Sequence, residues 1–169
     1  MSKLNPYQDF LDERPVDAIL IGTSGAIRSM LDQIGDANSS MRPAPGKWSP
    51  AEIVCHLADC ELAFGFRLRQ TLAEENPTVQ PFDQEKWAAA YTGIPADEAL
   101  NAFSALRDWN LRLIETSLPA AANRKMTHPE RGTMTFQNVV ETMAGHDLNH
   151  LAQLRKMVDS SSVETAEEV

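Results

Sequence analysis

The sequence predicts an all-α protein folded as a four-helix bundle. Three observations predict this class: four segments repeat apolar residues every three or four positions, strand-like alternation is scarce, and one segment opens with a full helix-start signal. We expect one domain over residues 1–169, with a core over about 15–158. Bundles of this kind commonly build metal sites from inward-facing side chains.

The first helix is predicted from about Pro15 to Ile34. Proline suits the first turn, and Gly35 is typical of the position that follows a helix. Gly22 and Gly25 lower the intrinsic helix propensity, so tertiary packing is expected to hold this helix. Its apolar stripe consists of Val16, Ile19, Leu20, Ile27, Met30, Leu31 and Ile34.

The second helix has the clearest start in the chain. Ser49 can cap it, Pro50 fits its first position, and Glu52 can complete a capping box. We expect it to run to about Ala73. Its stripe is formed by Ile53, Leu57, Cys60, Phe64 and Leu68, with His56 and Glu61 at the border.

A long connection over 76–94 precedes the third helix and holds a short helical patch around Trp87. Connections of this length are often functional. The third helix is predicted to begin after Pro95 and to reach about Ser117. Arg107 lies near its apolar seam, where it could orient an anionic substrate or pair with a buried carboxylate; we favour the pairing.

The fourth helix is predicted to start near Thr133 or Thr135. Residues 160–169 are polar and acidic, and we expect them to form a frayed tail. Both His146 and His150 fall on the apolar stripe of this helix, which comprises Phe136, Val139, Val140, Met143, His146, His150, Leu154 and Met157.

Composition excludes several classes of function. The net charge is −9, whereas a nucleic-acid footprint or an anionic membrane surface requires a basic face. No apolar stretch is long enough to span a bilayer, and the N-terminus lacks the apolar run of a signal peptide. Cys55 and Cys60 point in different directions on one helix, which disfavours a disulfide. We expect a cytoplasmic protein.

The histidines are the main chemical signal. His146 and His150 are four residues apart, so both rings lie on one helix face, where they can bind one metal ion. His56 alone is more typical of a core histidine, but three histidines on facing helices would make an open, catalytic type of site. Asp147 gives the run an H-D-x-x-H form, and a solvent-facing or supporting carboxylate fits it better than a zinc-peptidase base.

With these residues in view, the chain resembles the DinB/YfiT-like family of metal-dependent enzymes. The resemblance covers about Pro15 to Val158. It combines a histidine that follows a W-S-P-x-E helix start with an H-x-x-x-H pair near the C-terminus. The matching segments are 47–61, 84–91, 128–132 and 146–154.

The resemblance implies an up-down-down-up bundle, often a homodimer, with a divalent metal held by His56, His146 and His150. Zinc and nickel both suit imidazole ligands. It also implies a metal-dependent hydrolase acting on a small molecule. The alternatives are an S-transferase or isomerase that uses a low-molecular-weight thiol, and a non-catalytic, stress-related bundle with a vestigial metal site.

Two carboxylates near His56 are the catalytic candidates. Glu61 borders the apolar stripe and is the better candidate for a base or supporting role, and Asp59 is the second. A surface position remains the alternative for Glu61. Cys60, one turn past His56, is more typical of a structural cysteine than of a ligand. For His128 we expect a structural turn role or a place at the pocket rim.

Overall fold

The computed structural model describes residues 4–167, with side chains up to Ser160. Within this part the chain forms six α-helices and one two-stranded sheet, after a short 3-10 turn at Gln8–Phe10. The elements are α1 (Val16–Ile34), α2 (Asp36–Ser39), α3 (Pro50–Ala73), α4 (Gln84–Ala88), α5 (Ala96–Ser117), β1 (Lys125–His128), β2 (Gly132–Thr135) and α6 (Phe136–Glu167).

The long helices α3 and α5 lie side by side and run in the same direction. Apolar residues from 53–58 of α3 share a core cluster with residues 99–103 of α5. Further along both helices, Glu61 accepts a hydrogen bond from Arg107. The connection over 74–95 returns the chain to the starting end of the bundle, which makes the parallel arrangement possible.

The helices α1 and α6 form a second parallel pair. Residues 19–20 cluster with 139–144, and residues 27–34 cluster with Leu154 and Val158 further along α6. Residues 19–20 also share their cluster with the later half of α3, so this pair is antiparallel to α3 and α5. The predicted four-helix bundle with up-down-down-up connectivity is confirmed.

The helix starts are set by capping hydrogen bonds between residues close in the sequence. Ser49 accepts a hydrogen bond from the Glu52 amide, and the Glu52 carboxylate accepts one from the Ser49 amide, so the predicted capping box is present. Thr135 and Asn138 exchange the equivalent pair of bonds at the start of α6. The backbone of α6 continues to Glu167; the tail expected over 160–169 lies almost wholly outside the described side chains.

The hairpin formed by β1 and β2 is an addition to the all-α bundle predicted from the sequence. The strands pair antiparallel, with Met126 opposite Met134 and both side chains buried against the base of the bundle. Each strand has only four residues, so its alternation is too short to register in the sequence. A bridge from Thr78 to Thr127 ties the long connection to this hairpin.

The bundle has two apolar clusters, and a polar layer lies between them along α1 and α6. On α6 the first cluster includes residues 139–144 and the second includes Leu154 and Val158. The buried polar residues of α6, His146, Asp147 and His150, fall between them. None of the described helices is long and apolar enough to cross a membrane.

Candidate metal centre

Three imidazoles converge in the polar layer, and we call them the His cluster: His56 from α3 and His146 and His150 from α6. Their side chains are buried, with 1%, 3% and 5% exposure. The Nε2 atom of His146 lies 3.1 Å from Nε2 of His56 and 3.1 Å from Nε2 of His150. One ligand atom from each ring lies within 4.8 Å of the other two.

The donor set of the His cluster fits one divalent cation. Three nitrogen ligands at 2.0–2.1 Å from a tetrahedral ion are about 3.3–3.4 Å apart, close to the 3.1 Å that separates His146 from each of the other two rings. A neutral imidazole offers one N–H and one lone pair, so three Nε2 atoms that face each other cannot all satisfy one another. A cation at their centre would use all three lone pairs.

The imidazoles are held in the neutral form that metal binding requires. Burial, and to a smaller extent the neighbouring His150, lowers the pKa of His56 to about 3. Burial also lowers the pKa of His146 well below its ordinary value, together with the charges of the other two rings. The pKa of His150 is lowered by burial as well. Protons therefore compete weakly with a metal at neutral pH.

Gln153 orients one ring of the His cluster. Its Oε1 atom lies 3.1 Å from Nδ1 of His150, so the Nδ1–H donates to the amide oxygen. This bond places the lone pair on Nε2, which faces the other two rings. Sequence reasoning missed Gln153; its signal was an amide three residues after the last histidine, on the same helix face.

The two predicted catalytic carboxylates are both held by partners. Asp59 Oδ2 accepts a hydrogen bond from the Tyr91 hydroxyl at 2.7 Å. Glu61 is buried, and its Oε1 accepts from Arg107 at 2.7 Å while its Oε2 accepts from Asn110 at 2.9 Å. Within the described residues, neither carboxylate forms a hydrogen bond with a ring of the His cluster.

Arg107 joins all four long helices. It donates to the Leu20 carbonyl of α1 at 2.9 Å and to both oxygens of Asp147 of α6, at 2.6 and 3.0 Å. With its bond to Glu61 of α3, it pairs with two buried carboxylates, as favoured from the sequence. Burial alone would lower the pKa of Arg107, but these two carboxylates raise it above its ordinary value.

Asp147 is buried, with 1% exposure, so the solvent-facing position considered for it is wrong. Besides the two bonds from Arg107, its Oδ2 accepts one from the Thr23 hydroxyl at 2.7 Å. Because Asp147 follows His146 directly, these bonds also hold the part of α6 that presents His146.

Cys60 and His128 pack as structural residues. The Cys60 sulfur lies 3.5 Å from Nε2 and 3.9 Å from Nδ1 of His56, and 3.9 Å from Nε2 of His146. The similar distances to the two His56 nitrogens place it beside that ring and not in line with its Nε2 lone pair, and burial raises the pKa of the Cys60 thiol. His128 Nδ1 accepts a hydrogen bond from the Glu130 amide within the hairpin turn, which is the turn role expected for it.

A cleft of about 780 Å³ opens beside the His cluster. Its volume is that of a small-molecule site. His150 forms part of its wall, so the cluster is reached from this side. Other wall residues that matter below are Tyr7, Trp48, Gln153, Lys47 and Lys156.

Fold and site together define a helical bundle with a candidate three-histidine metal centre beside a small-molecule cleft. The chain belongs to the DinB superfamily, whose sequence model matches residues 20–154. The family expected from the sequence is therefore confirmed.

The relatives point to the same class. Two proteins of Oceanobacillus iheyensis, both provisionally named metal-dependent hydrolases, are 29% identical over 113 residues and 26% identical over 133 residues. The first alignment covers 66% of this chain and 66% of the relative, a little under two thirds of its length; the second covers 78% and 77%. YfiT from Bacillus subtilis, described as a probable metal-dependent hydrolase with an unusual four-helix bundle topology, superposes with a TM-score of 0.78. It is 19% identical, with 87% of this chain and 90% of that chain covered, and shows the shared fold.

Proposed function

We propose that this protein is a divalent-metal-dependent hydrolase of a small molecule. The observation that supports it most is the convergence of three neutral, buried Nε2 donors at a position whose outer ligand, His150, lies on the wall of the cleft. Three protein ligands leave a fourth position for water or substrate, as in catalytic zinc sites. Zinc and nickel are the ions that we propose.

A divalent ion held by three uncharged imidazoles keeps its full charge and supplies Lewis-acid chemistry. The residues of the chain do the rest. Gln153 fixes the tautomer of His150, and the Asp147–Arg107 pair holds α6 where it presents His146. Trp48 packs its ring 4.8 Å from that of His56, which restricts the motion of that ligand.

The carboxylates take different roles in this proposal. Both oxygens of Glu61 are bound by residues of α5, so we assign Glu61 a positioning role within the Arg107 network. Asp59 keeps Oδ1 without a hydrogen bond in the described part of the chain and is only half-buried. We therefore propose that Asp59 accepts the proton that water loses during hydrolysis, and that the Tyr91 hydroxyl orients this carboxylate.

Metal analysis tests the site. Wild-type protein should hold about one divalent ion per chain, and His56→Ala, His146→Ala and His150→Ala should each lose it. The matched control is His128→Ala, which replaces the one histidine of the chain outside the His cluster and should retain the ion. If wild-type protein takes up no zinc or nickel, or if the three variants bind the ion as His128→Ala does, the proposed centre is wrong.

Turnover tests the reaction. The protein, stripped with a chelator and then reloaded, is assayed against a panel of small esters, amides and phosphate esters. Metal-dependent hydrolysis that Asp59→Asn lowers at constant metal content supports the proposal. Turnover only with an added low-molecular-weight thiol would identify a transferase, and no turnover by loaded protein would favour a vestigial site. A homodimer and a cytoplasmic location remain predictions from the sequence.

A further inference from the structure

The segment before α1 packs closely against α6 in a defined conformation. The amide of Tyr7 donates to Asn5 Oδ1 at 2.9 Å, and the Tyr7 carbonyl accepts from the Phe10 amide at 3.0 Å. A Cβ atom on Gly145 would lie 2.6 Å from the Tyr7 carbonyl oxygen, so only glycine admits this backbone. The position of Tyr7 is therefore set by the fold, although it lies outside the matched region 20–154.

This packing brings the Tyr7 ring against the His cluster. Its centroid is 5.0 Å from that of His146, with the ring planes at 75°, so the two meet edge to face. His146 is the central member of the cluster, since its Nε2 lies 3.1 Å from both others. Tyr7 also lines the cleft together with His150.

The Tyr7 hydroxyl has no hydrogen-bond partner among the described residues. The contrast is Tyr91, the second tyrosine of the chain, whose hydroxyl donates to Asp59 at 2.7 Å. The Tyr7 side chain is half-buried, and Tyr7 is one of the residues that line the cleft. A phenol is a good donor, so an unpaired one on a cleft wall is available to a ligand.

The charges of the cleft favour a negatively charged ligand. Lys47 and Lys156 lie on its wall without an ion pair in the described structure, while Arg42 is already paired with Glu52. Among the described residues of the wall, Glu85 is the one acidic residue. The described part of the wall is therefore net positive in a chain of net charge −9, which concentrates small anions at this place.

We propose that the Tyr7 hydroxyl is a substrate-binding group of this site, which donates a hydrogen bond to an oxyanion of a small molecule bound between Tyr7 and His150. The inference rests on the proposed metal centre, because the ion would hold the same ligand from the other side. It names the substrate class as small molecules that carry a carboxylate, hydroxamate or phosphoryl oxygen.

Cobalt-loaded protein and acetohydroxamate, a small oxyanion probe, test the inference. Binding of the probe is followed by the visible absorption of the cobalt ion. Tyr7→Phe should weaken probe binding about 10-fold, which is the loss of one hydrogen bond to a charged oxygen. Its affinity for cobalt and its Tm should stay at the wild-type values, which a merely structural role would not predict.

Two further variants make the test specific. Gly145→Ala keeps the hydroxyl but displaces the Tyr7 backbone that packs on Gly145, so it should weaken binding of the probe by a similar factor. Trp109→Phe trims an exposed aromatic ring of α5 that does not line the cleft, and it should leave probe affinity within about twofold. Wild-type protein that binds cobalt but not the probe, or a Tyr7→Phe variant that binds the probe as wild type does, would overturn the role of Tyr7 alone. Absence of cobalt binding by wild-type protein would overturn the metal centre as well.

Discussion

Replacing Arg107 by methionine should destabilise the fold more than other single changes on α5. The guanidinium donates four hydrogen bonds: one to the Leu20 carbonyl, two to Asp147 and one to Glu61. Methionine keeps most of the volume but leaves two carboxylates in the core without a cation. The loss is therefore one of charge compensation more than of packing.

The magnitude follows from the burial of the ion pairs. Arg107 and its two partners are no more than 2% exposed, so solvent cannot replace the missing charge. Removing one partner of such a pair costs about 3–5 kcal/mol. With a urea dependence of about 2 kcal/mol per molar, the midpoint of unfolding should fall by about 2 M. The assay is urea unfolding followed by far-ultraviolet circular dichroism.

Arg112→Met is the matched control, since Arg112 is exposed on the same helix and should change stability by less than about 0.5 kcal/mol. A triple variant, Arg107→Met with Glu61→Gln and Asp147→Asn, removes the uncompensated charges. It should be more stable than Arg107→Met alone, and it keeps the test usable if the single variant does not fold. A single variant no less stable than Arg112→Met, or a triple variant no more stable than the single one, would refute the reasoning.

Two other results are expected. In metal-free protein, burial lowers the folded pKa of the His cluster, for His56 from 6.5 to about 3, so the unfolded chain binds more protons below pH 6.5. The free energy of unfolding should not change with pH above pH 6.5. Below pH 6.5 it should fall by about 1.4 kcal/mol for each unit by which the pH is lowered, for each histidine that stays neutral in the folded protein. Urea midpoints that do not change between pH 7.5 and pH 5.5 would contradict this. The methyl group of Gly22→Ala would lie in open space, so this variant should stabilise α1 by about 0.5–1 kcal/mol. The Cβ atom of Gly65→Ala would lie 2.8 Å from Asn110 Nδ2, so this variant should destabilise the protein by about 1–3 kcal/mol. Thermal unfolding checks this pair, and shifts of the same sign would count against it.

Local chemistry made the helices predictable. The capping box at Ser49 and Glu52 depends on four consecutive residues, and the apolar stripes depend on positions within one helix. The hairpin could not be found in the same way. Met126 and Met134 are buried because they face the base of the bundle, and that depends on residues far away in the chain.

The site was predictable in part for the same reason. His146 and His150 share a helix, so their spacing alone brings the rings together, whereas placing His56 beside them needed the resemblance to a family. Tyr7 carried no signal, because its position depends on a glycine of α6. The direction of Glu61 was available from geometry: five residues past His56 it is turned about 140° around the helix. That turn points it to α5, where Arg107 binds it.

The ionic network explains how a bundle can hold three imidazoles in one arrangement. Buried ion pairs add little net stability, so their value here is in defining geometry. Asp147 is the neighbour of His146, and the bidentate bond from Arg107 fixes the rotation of α6 about its axis at that level. A rotation of α6 would turn His146 and His150 away from His56 and break the bonds of Asp147 at the same time. Separating the rings of the His cluster would therefore also leave the buried carboxylate of Asp147 without its partner. This cost keeps the three nitrogens together whether or not an ion is bound.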